Sequence, residues 1–219
     1  MAIDETMNLT EDQRRWFHET YAEWHRVMRP YEGHGPAALF RDLPQLPPEA
    51  LAGAKVVPQR DYILPDMPEG RVGEIGTQEG LFAEKILEQG RASELHLFDI
   101  DFGPLRRRNN SRLLDFAQLH QGDSSVTLGQ MPDDHFDWLY IDGDHFYSGV
   151  KRDAETAKRK VKPGGYLVFN DYALWSAVEF TAYGVPYAVH ELILDHGWTM
   201  THFALNRLFY CDVALRRPL

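Results

Sequence analysis

Arg71-Val-Gly-Glu-Ile-Gly-Thr-Gln-Glu-Gly80 decides how this 219-residue chain is read. Arg71 to Ile75 has the character of a short buried strand, and it ends in an acid, Glu74. Gly76 and Gly80 then let the backbone turn tightly and a ligand come close, while Leu81 to Glu88 open a helix behind the turn. Strand, glycine turn and helix in that order make a nucleotide cradle.

The chain on either side supplies more strands whose ends are polar. Glu94-Leu-His-Leu-Phe-Asp99 alternates as a second strand ending in an acid, 25 residues beyond Glu74. That is close to the interval of about 20 residues at which an acid on the second strand of a dinucleotide fold meets a ribose. A carboxylate at Asp99 can accept from both ribose hydroxyls; Asp101, two residues on, is the second choice. Arg106 to Arg108 read as the solvated basic start of a helix through Leu113, Leu114 and Phe116.

Phe136 to Asp142 is a buried fourth strand, a helix follows from about Ser148 to Val161, and Tyr166 to Asp171 is a fifth strand after Lys162-Pro-Gly-Gly165. Strand, helix and strand in so short an interval imply a right-handed parallel crossover. Adjacent strands lie about 5 Å apart. Their C-terminal ends would bring Asp142, Asn170 and Asp171 within reach of one cation, and oxygen donors suit Mg²⁺, Mn²⁺ or Ca²⁺ better than zinc. The same residues could instead cap helices as strand-end turns. His145 falls in that neighbourhood, and a histidine can take a hydroxyl proton near neutral pH.

Glu74-x-Gly76-x-x-x-Gly80 lacks the Gly-x-Gly-x-x-Gly of dinucleotide sites and the Gly-Lys-Ser/Thr of a Walker loop. It resembles motif I of class I S-adenosylmethionine-dependent methyltransferases. Ile141-Asp-Gly-Asp-His145, Val150-x-x-Asp153 and Lys162-Pro-Gly-Gly-Tyr-Leu-Val-Phe-Asn-Asp171 sharpen the likeness. Together they resemble small O-methyltransferases related to those of macrolide sugars, with a metal layout similar to that of catechol O-methyltransferase. The resemblance covers roughly Arg71 to Tyr172. It departs at Asn170, where the sugar enzymes tend to have a second acid.

The resemblance implies a Rossmann-like α/β fold: a seven-stranded, mainly parallel sheet with helices on both faces and a C-terminal antiparallel hairpin. It implies S-adenosylmethionine as cofactor, held by Glu74, Gly76, Gly80 and Asp99. Asp123 and the supporting Ser124, in His120-Gln-Gly-Asp-Ser124, would bind adenine; a plain Gly-Asp turn is the other reading of that segment. It further implies Mg²⁺ on Asp142, Asn170 and Asp171, with His145 catalytic, and a small hydroxylated acceptor. A nicotinamide-nucleotide oxidoreductase and a non-catalytic, partner-binding relative are the alternatives.

The flanks fill out the plan. Thr10-x-x-Gln13 is a capping box, and Phe17, Tyr21, Trp24 and Met28 then recur at helical spacing, up to Pro30. That aromatic face suits packing onto the main domain, a substrate lid or a homodimer contact. Eight of the thirteen prolines fall between Pro30 and Pro68, which excludes a long regular element there. His34, between two glycines in that arm, reads as a solvated loop residue. The division is therefore an N-terminal helix and proline-rich arm over 1–68 and a methyltransferase domain over 69–219. Pro186 to Leu194 reads as a helix stopped by Gly197; Trp198 to Leu205 and Leu208 to Leu215 read as a hairpin turning at Asn206-Arg207.

Composition narrows the partners. With 23 Lys and Arg against 33 Asp and Glu the net charge is −10, which argues against nucleic acid or an anionic membrane surface. A single cysteine, Cys211, excludes an intramolecular disulfide framework, and no cysteine/histidine spacing suggests a structural zinc site. With no basic-then-apolar leader and no long apolar run, the expectation is a cytoplasmic protein.

Overall fold

The structure is a computed structural model that describes residues 9–28, 42–89, 91–176, 179, 181–206 and 210–219. Pro30, His34, Gly90, Arg207 and the start of the last expected strand lie outside these residues. The chain divides into two compact units, Met1–Leu43 and Pro44–Leu219. In the first, helix α1 spans Glu11–Met28. Its capping box is reciprocal: Thr10 N–H donates to Gln13 Oε1 at 2.8 Å and Gln13 N–H to Thr10 Oγ1 at 3.3 Å.

The second unit is a sheet with helices on both faces. Its strands are β1 (Lys55–Val57), β2 (Gly70–Ile75), β3 (Ala92–Asp99), β4 (Gln118–Gln121), β5 (Phe136–Ile141) and β6 (Val161–Phe169). A separate short hairpin joins β7 (Trp175–Ser176) to β8 (Thr181–Ala182), and β9 (Thr199–Ala204) and β10 (Asp212–Arg216) complete the main sheet. The order across it is β1-β9-β10-β6-β5-β2-β3-β4. All pairs are parallel except those of β10, which runs antiparallel to both β6 and β9.

The sheet has eight strands where the sequence reading expects seven. The additional one is β1, and it comes from the proline-rich arm: Lys55 to Val57 pair with His202 to Ala204. Three residues are too few to show a period, and the surrounding prolines mask them. Residues 44–68 thus fall within the second compact unit. The basic run and the apolar residues after it form two helices rather than one, α4 (Gly103–Arg108) and α5 (Ser111–Phe116). Asn109 breaks them at φ 55°, and Asn110 caps the second by accepting from Leu113 N–H at 3.2 Å.

Alternation along the strands sorts the core into two layers. Ile75, Phe98, Leu139, Ile141, Leu167 and Phe169 face α7 (Tyr147–Lys160) and α8 (Val185–His196). Val72, Leu95, Leu97, Trp138, Tyr140 and Val168 face the other side, with Phe82, Ala83 and Ile86 of α3 (Leu81–Glu88). Among the described residues no helix is long and apolar enough to cross a membrane.

Candidate active site

The order of the sheet reverses between β2 and β5. After β2 the chain goes to α3 on one face; after β5 it goes to α7 on the other. The two departures leave a crevice at the C-terminal ends of these strands, which is where open α/β sheets bind ligands. Two cavities of about 440 and 400 Å³ lie there.

The first cavity is lined by Gly76, Asp99, Ile100, Asp123 and Ser124 among others. Asp99 is held by its neighbours: Oδ2 accepts from Gln78 N–H at 2.8 Å and Oδ1 from Asp101 N–H at 2.9 Å. Asp101 turns instead to Gly103 N–H, 2.8 Å away, at the start of α4. Asp123 caps the short helix α6 (Ser124–Thr127) through Ser125 N–H and Oγ at 2.9 and 2.6 Å, and these bonds lower its pKa. Ser124 Oγ donates to Asp153 Oδ1 at 2.5 Å. Asp153 is buried, and that burial pushes its pKa up to about 6.

The two glycines of the opening motif have separate tasks. At Gly76, φ is +82° and a Cβ would lie 1.9 Å from the backbone oxygen of Asp142, so the backbone just after β5 demands the glycine that lines the cavity. Gly80, φ +74°, begins α3 with its Cα against the side chains of Leu105 and Leu113. It holds helices together behind the turn.

The second cavity collects the remaining acids. Glu74, Asp142, His145, Asp171, Glu179 and Arg60 are in its wall. Register brings them there: Ile141 of β5 is opposite Phe169 of β6 and beside Ile75 of β2, so the residues that follow emerge together. Asn170 Nδ2 donates to Asp142 Oδ1 at 2.7 Å. His145 Nε2 lies 3.4 Å from Asp142 Oδ1 and 3.5 Å from Asp171 Oδ2. These are ionic contacts rather than formed hydrogen bonds, since Nε2 has no hydrogen-bond partner. The ring stacks on Tyr183 at 4.7 Å between centroids, and its backbone oxygen accepts from Gly184 N–H at 2.7 Å.

Electrostatics follow from this crowding. Burial lowers the His145 pKa, but Asp142 and then Asp171 outweigh it, so the net shift is upward. Burial raises Asp171 to about 6 against the pull of His145. Glu74, 2% exposed with Oε2 unpartnered, is raised well above the carboxylate range, first by burial and then by Asp142. Acids outnumber cations here, and the oxygen donors of Asp142, Asn170 and Asp171 fit a hard divalent ion. The ligand atoms of Asp142 and Asp171 nonetheless flank His145, and the Asn170 amide engages Asp142, so coordination would require the amide to turn its oxygen inward.

Three participants carry no sequence signal. Arg60 donates from Nη1 to Tyr140 Oη at 2.9 Å and to Asn170 Oδ1 at 3.4 Å, and lies 3.8 Å from Asp142 Oδ2. Tyr140 in turn donates to Asp212 Oδ2 at 2.8 Å. Arg60 sits in the proline-rich arm, Tyr140 reads as a core aromatic and Asp212 lies at the start of a strand. Tyr172, which follows β6, is hydrogen-bonded to His190 at 2.6 Å, and Trp175 is partly exposed on β7.

Residues 74–172, from the acid of the glycine turn to the residues just after β6, match a family model described as a methyltransferase domain. The chain has the Rossmann-like fold of class I methyltransferases. The S-adenosylmethionine-dependent methyltransferase of Mesorhizobium loti aligns over 71% of this chain and 94% of its own, with 18% identity and a TM-score of 0.55. The N-methyltransferase NodS of Bradyrhizobium japonicum, in complex with S-adenosylhomocysteine, aligns over 73% and 86%, with 17% identity and a TM-score of 0.53. An O-methyltransferase family protein of Burkholderia thailandensis aligns over 72% of this chain at 11% identity and a TM-score of 0.57. This chain spans 55% of that protein's length. At these identities the likeness to the solved structures is one of fold. A search of curated proteins gives no match. Within this fold the ends of β2, β3, β5 and β6 lead into the two cavities, and the added strand β1 lies at the far edge of the sheet.

Proposed function

We propose that this protein transfers the methyl group of S-adenosylmethionine to a hydroxyl of a small molecule. One observation carries the reading: the two cavities share Gly76, Gln78, Asp142 and Gly143 as common wall. A donor in the first would therefore lie beside an acceptor in the second. Both volumes are in the range of small-molecule sites. The net charge of −10 supports a small acceptor over a nucleic acid.

Asp99 accepts from the ribose hydroxyls, with Asp123 and Ser124 toward the adenine and Glu74 and Gly76 toward the methionine end. Ile100, an exposed residue in the lining of the first cavity, adds an apolar surface on which a base can pack. The reaction is a displacement at carbon: the C–S bond breaks, a C–O bond forms, and sulfur leaves as a neutral thioether. A neutral hydroxyl is a weak nucleophile, and His145 accepts its proton. Asp142, Asn170 and Asp171 would hold Mg²⁺, which when bound orients the acceptor hydroxyl and lowers its pKa. Asp142 and Asp171 also hold the His145 ring in place and stabilise the imidazolium that forms. The site holds the acceptor oxygen in line with the departing sulfur, which is where positioning contributes most.

Calorimetric titration with S-adenosylmethionine, S-adenosylhomocysteine and NAD tests the donor. Saturable binding of both sulfur ligands, but not NAD, is the expected result; NAD binding alone would favour the oxidoreductase alternative. Incubation with panels of phenols, sugars and amines, read by mass spectrometry for a methyl gain, tests the acceptor. Methylation confined to amines would overturn the hydroxyl assignment.

A further inference from the structure

Away from the crevice, toward the opposite end of the sheet, the described residues hold a second chemical cluster. Glu94 and His96 are on β3, His120 is on β4, and His135 immediately precedes β5. Glu94, His96 and His135 each offer one ligand atom, and the three atoms lie within 4.8 Å of one another. His96 is 2% exposed, and the Nε2 atoms of both His96 and His135 are buried without a hydrogen-bond partner. Such groups are costly to bury unless something binds them.

We propose that Glu94, His96 and His135 form a binding site for a transition-metal dication of the Zn²⁺ class, separate from the methyl-transfer site. Two imidazoles and a carboxylate are a donor set that zinc accepts, with a fourth position left to water. Zinc bonds of about 2.0–2.2 Å at tetrahedral angles place ligand atoms roughly 3.3–3.6 Å apart. His96 Nε2 and Glu94 Oε2 are already 3.7 Å apart. The separations to His135, within 4.8 Å, must close to that range.

The neighbours prepare each ligand. His96 Nδ1 lies 3.0 Å from His120 Nε2, so a proton on Nδ1 donated to His120 leaves the Nε2 lone pair free for the metal. His120 is therefore a positioning residue. Arg71 Nε donates to Glu94 Oε1 at 3.0 Å and so orients the carboxylate with Oε2 toward the histidines. Burial, followed by the neighbouring imidazoles, lowers His96 to about 4, and burial also lowers His120 and His135. At neutral pH the rings are uncharged, the state in which imidazole ligates metal. The side chain of Glu94 is 41% exposed, which gives an ion its way in.

The test uses the full chain, stripped with chelator and then titrated with Co²⁺ and Zn²⁺ in excess Mg²⁺, which occupies hard oxygen sites. One Co²⁺ per chain with the intense visible bands of a tetrahedral site, displaced by Zn²⁺, is expected. Ring nitrogen resonances of His96 and His135 should shift on adding Zn²⁺. Glu94→Gln and His135→Ala, chosen because both residues are partly exposed, should weaken binding by at least about tenfold. Their circular dichroism and S-adenosylhomocysteine affinity should not change. Absence of stoichiometric metal uptake by the wild-type chain would overturn the proposal, as would uptake unaltered in both variants or confined ring shifts at His145.

Discussion

Asn170 and Asp142, at the adjoining ends of β6 and β5, are joined by a 2.7 Å hydrogen bond from the amide nitrogen to Oδ1. The amide thereby relieves the repulsion that a second acid at its position would bring. Asn170→Asp removes the donor and sets two carboxylates side by side. In chelator the variant should melt several degrees below wild type, since a partly buried hydrogen bond is exchanged for like charges. Mg²⁺ should raise its Tm more than it raises that of wild type, because the third carboxylate strengthens the oxygen donor set. Differential scanning calorimetry with and without Mg²⁺ measures both, and equal Mg²⁺ shifts in the two proteins would count against a cation at these residues.

Asp99 governs cofactor affinity on the proposed reading. Its carboxylate is fixed by Gln78 and Asp101 N–H at 2.8 and 2.9 Å, so it meets a ribose without reorganising. Asp99→Ala should cost about 1–3 kcal/mol of S-adenosylhomocysteine binding, because two ribose hydroxyls lose their acceptor. Titration calorimetry reads the difference directly. An unchanged dissociation constant would remove Asp99 from the site.

The legibility of this molecule follows the lengths of its signals. Helix α3 is found over Leu81–Glu88, the span read from apolar spacing and the glycine turn. Strand β5 ends at Ile141 and β6 at Phe169, which leaves Asp142 and Asn170 protruding from neighbouring strands. Local patterning suffices for those. What it misses depends on distance along the chain: Arg60 reaches Tyr140 across 80 residues, and Tyr140 reaches Asp212 across 72. No period links such residues, because their proximity is created by the strand order. His96 and His135, the proposed ligands, escape for a related reason: one is on β3 and the other just before β5, and they lack the close spacing of a zinc motif.

Asp212 makes stability depend on pH in a way one substitution can isolate. It is fully buried, and burial raises it to about 7 from 3.8, against Arg60 and the Tyr140 hydroxyl, with Asp142 and Asp171 adding to the rise. Between those two values the folded chain holds a proton that the unfolded chain has lost, so this residue's contribution falls as pH rises through the window. Asn keeps the oxygen that accepts from Tyr140 and carries no charge. Asp212→Asn should therefore gain stability over wild type as pH goes from 4 to 8, by an amount on the order of 1–3 kcal/mol. The other shifted groups are common to both proteins and largely cancel. Urea unfolding at several pH values gives the difference, and a constant difference would show that Asp212 stays ionised throughout.

His145 sets the pH dependence of catalysis. Burial lowers its pKa, but the Asp142 and Asp171 carboxylates at 3.4 and 3.5 Å raise it by more, so the ring is protonated to a higher pH than a free histidine. A base must be uncharged to accept a proton, and kcat/KM should consequently fall on the acid side with a pKa above 6.5 in the cation-free protein. Asp142→Asn removes the larger of the two supporting charges and should move that limb to lower pH. NMR titration of the His145 ring reports the same movement without reference to turnover. His145→Ala should slow methyl transfer by about 10²–10⁴-fold and abolish the acid limb, while leaving S-adenosylhomocysteine binding intact. Asp142→Ala and Asp171→Ala should abolish any stimulation by Mg²⁺. An acid limb that persists in His145→Ala would assign the base elsewhere, with Glu74 and Asp171, both raised by burial, the next candidates in the same cavity.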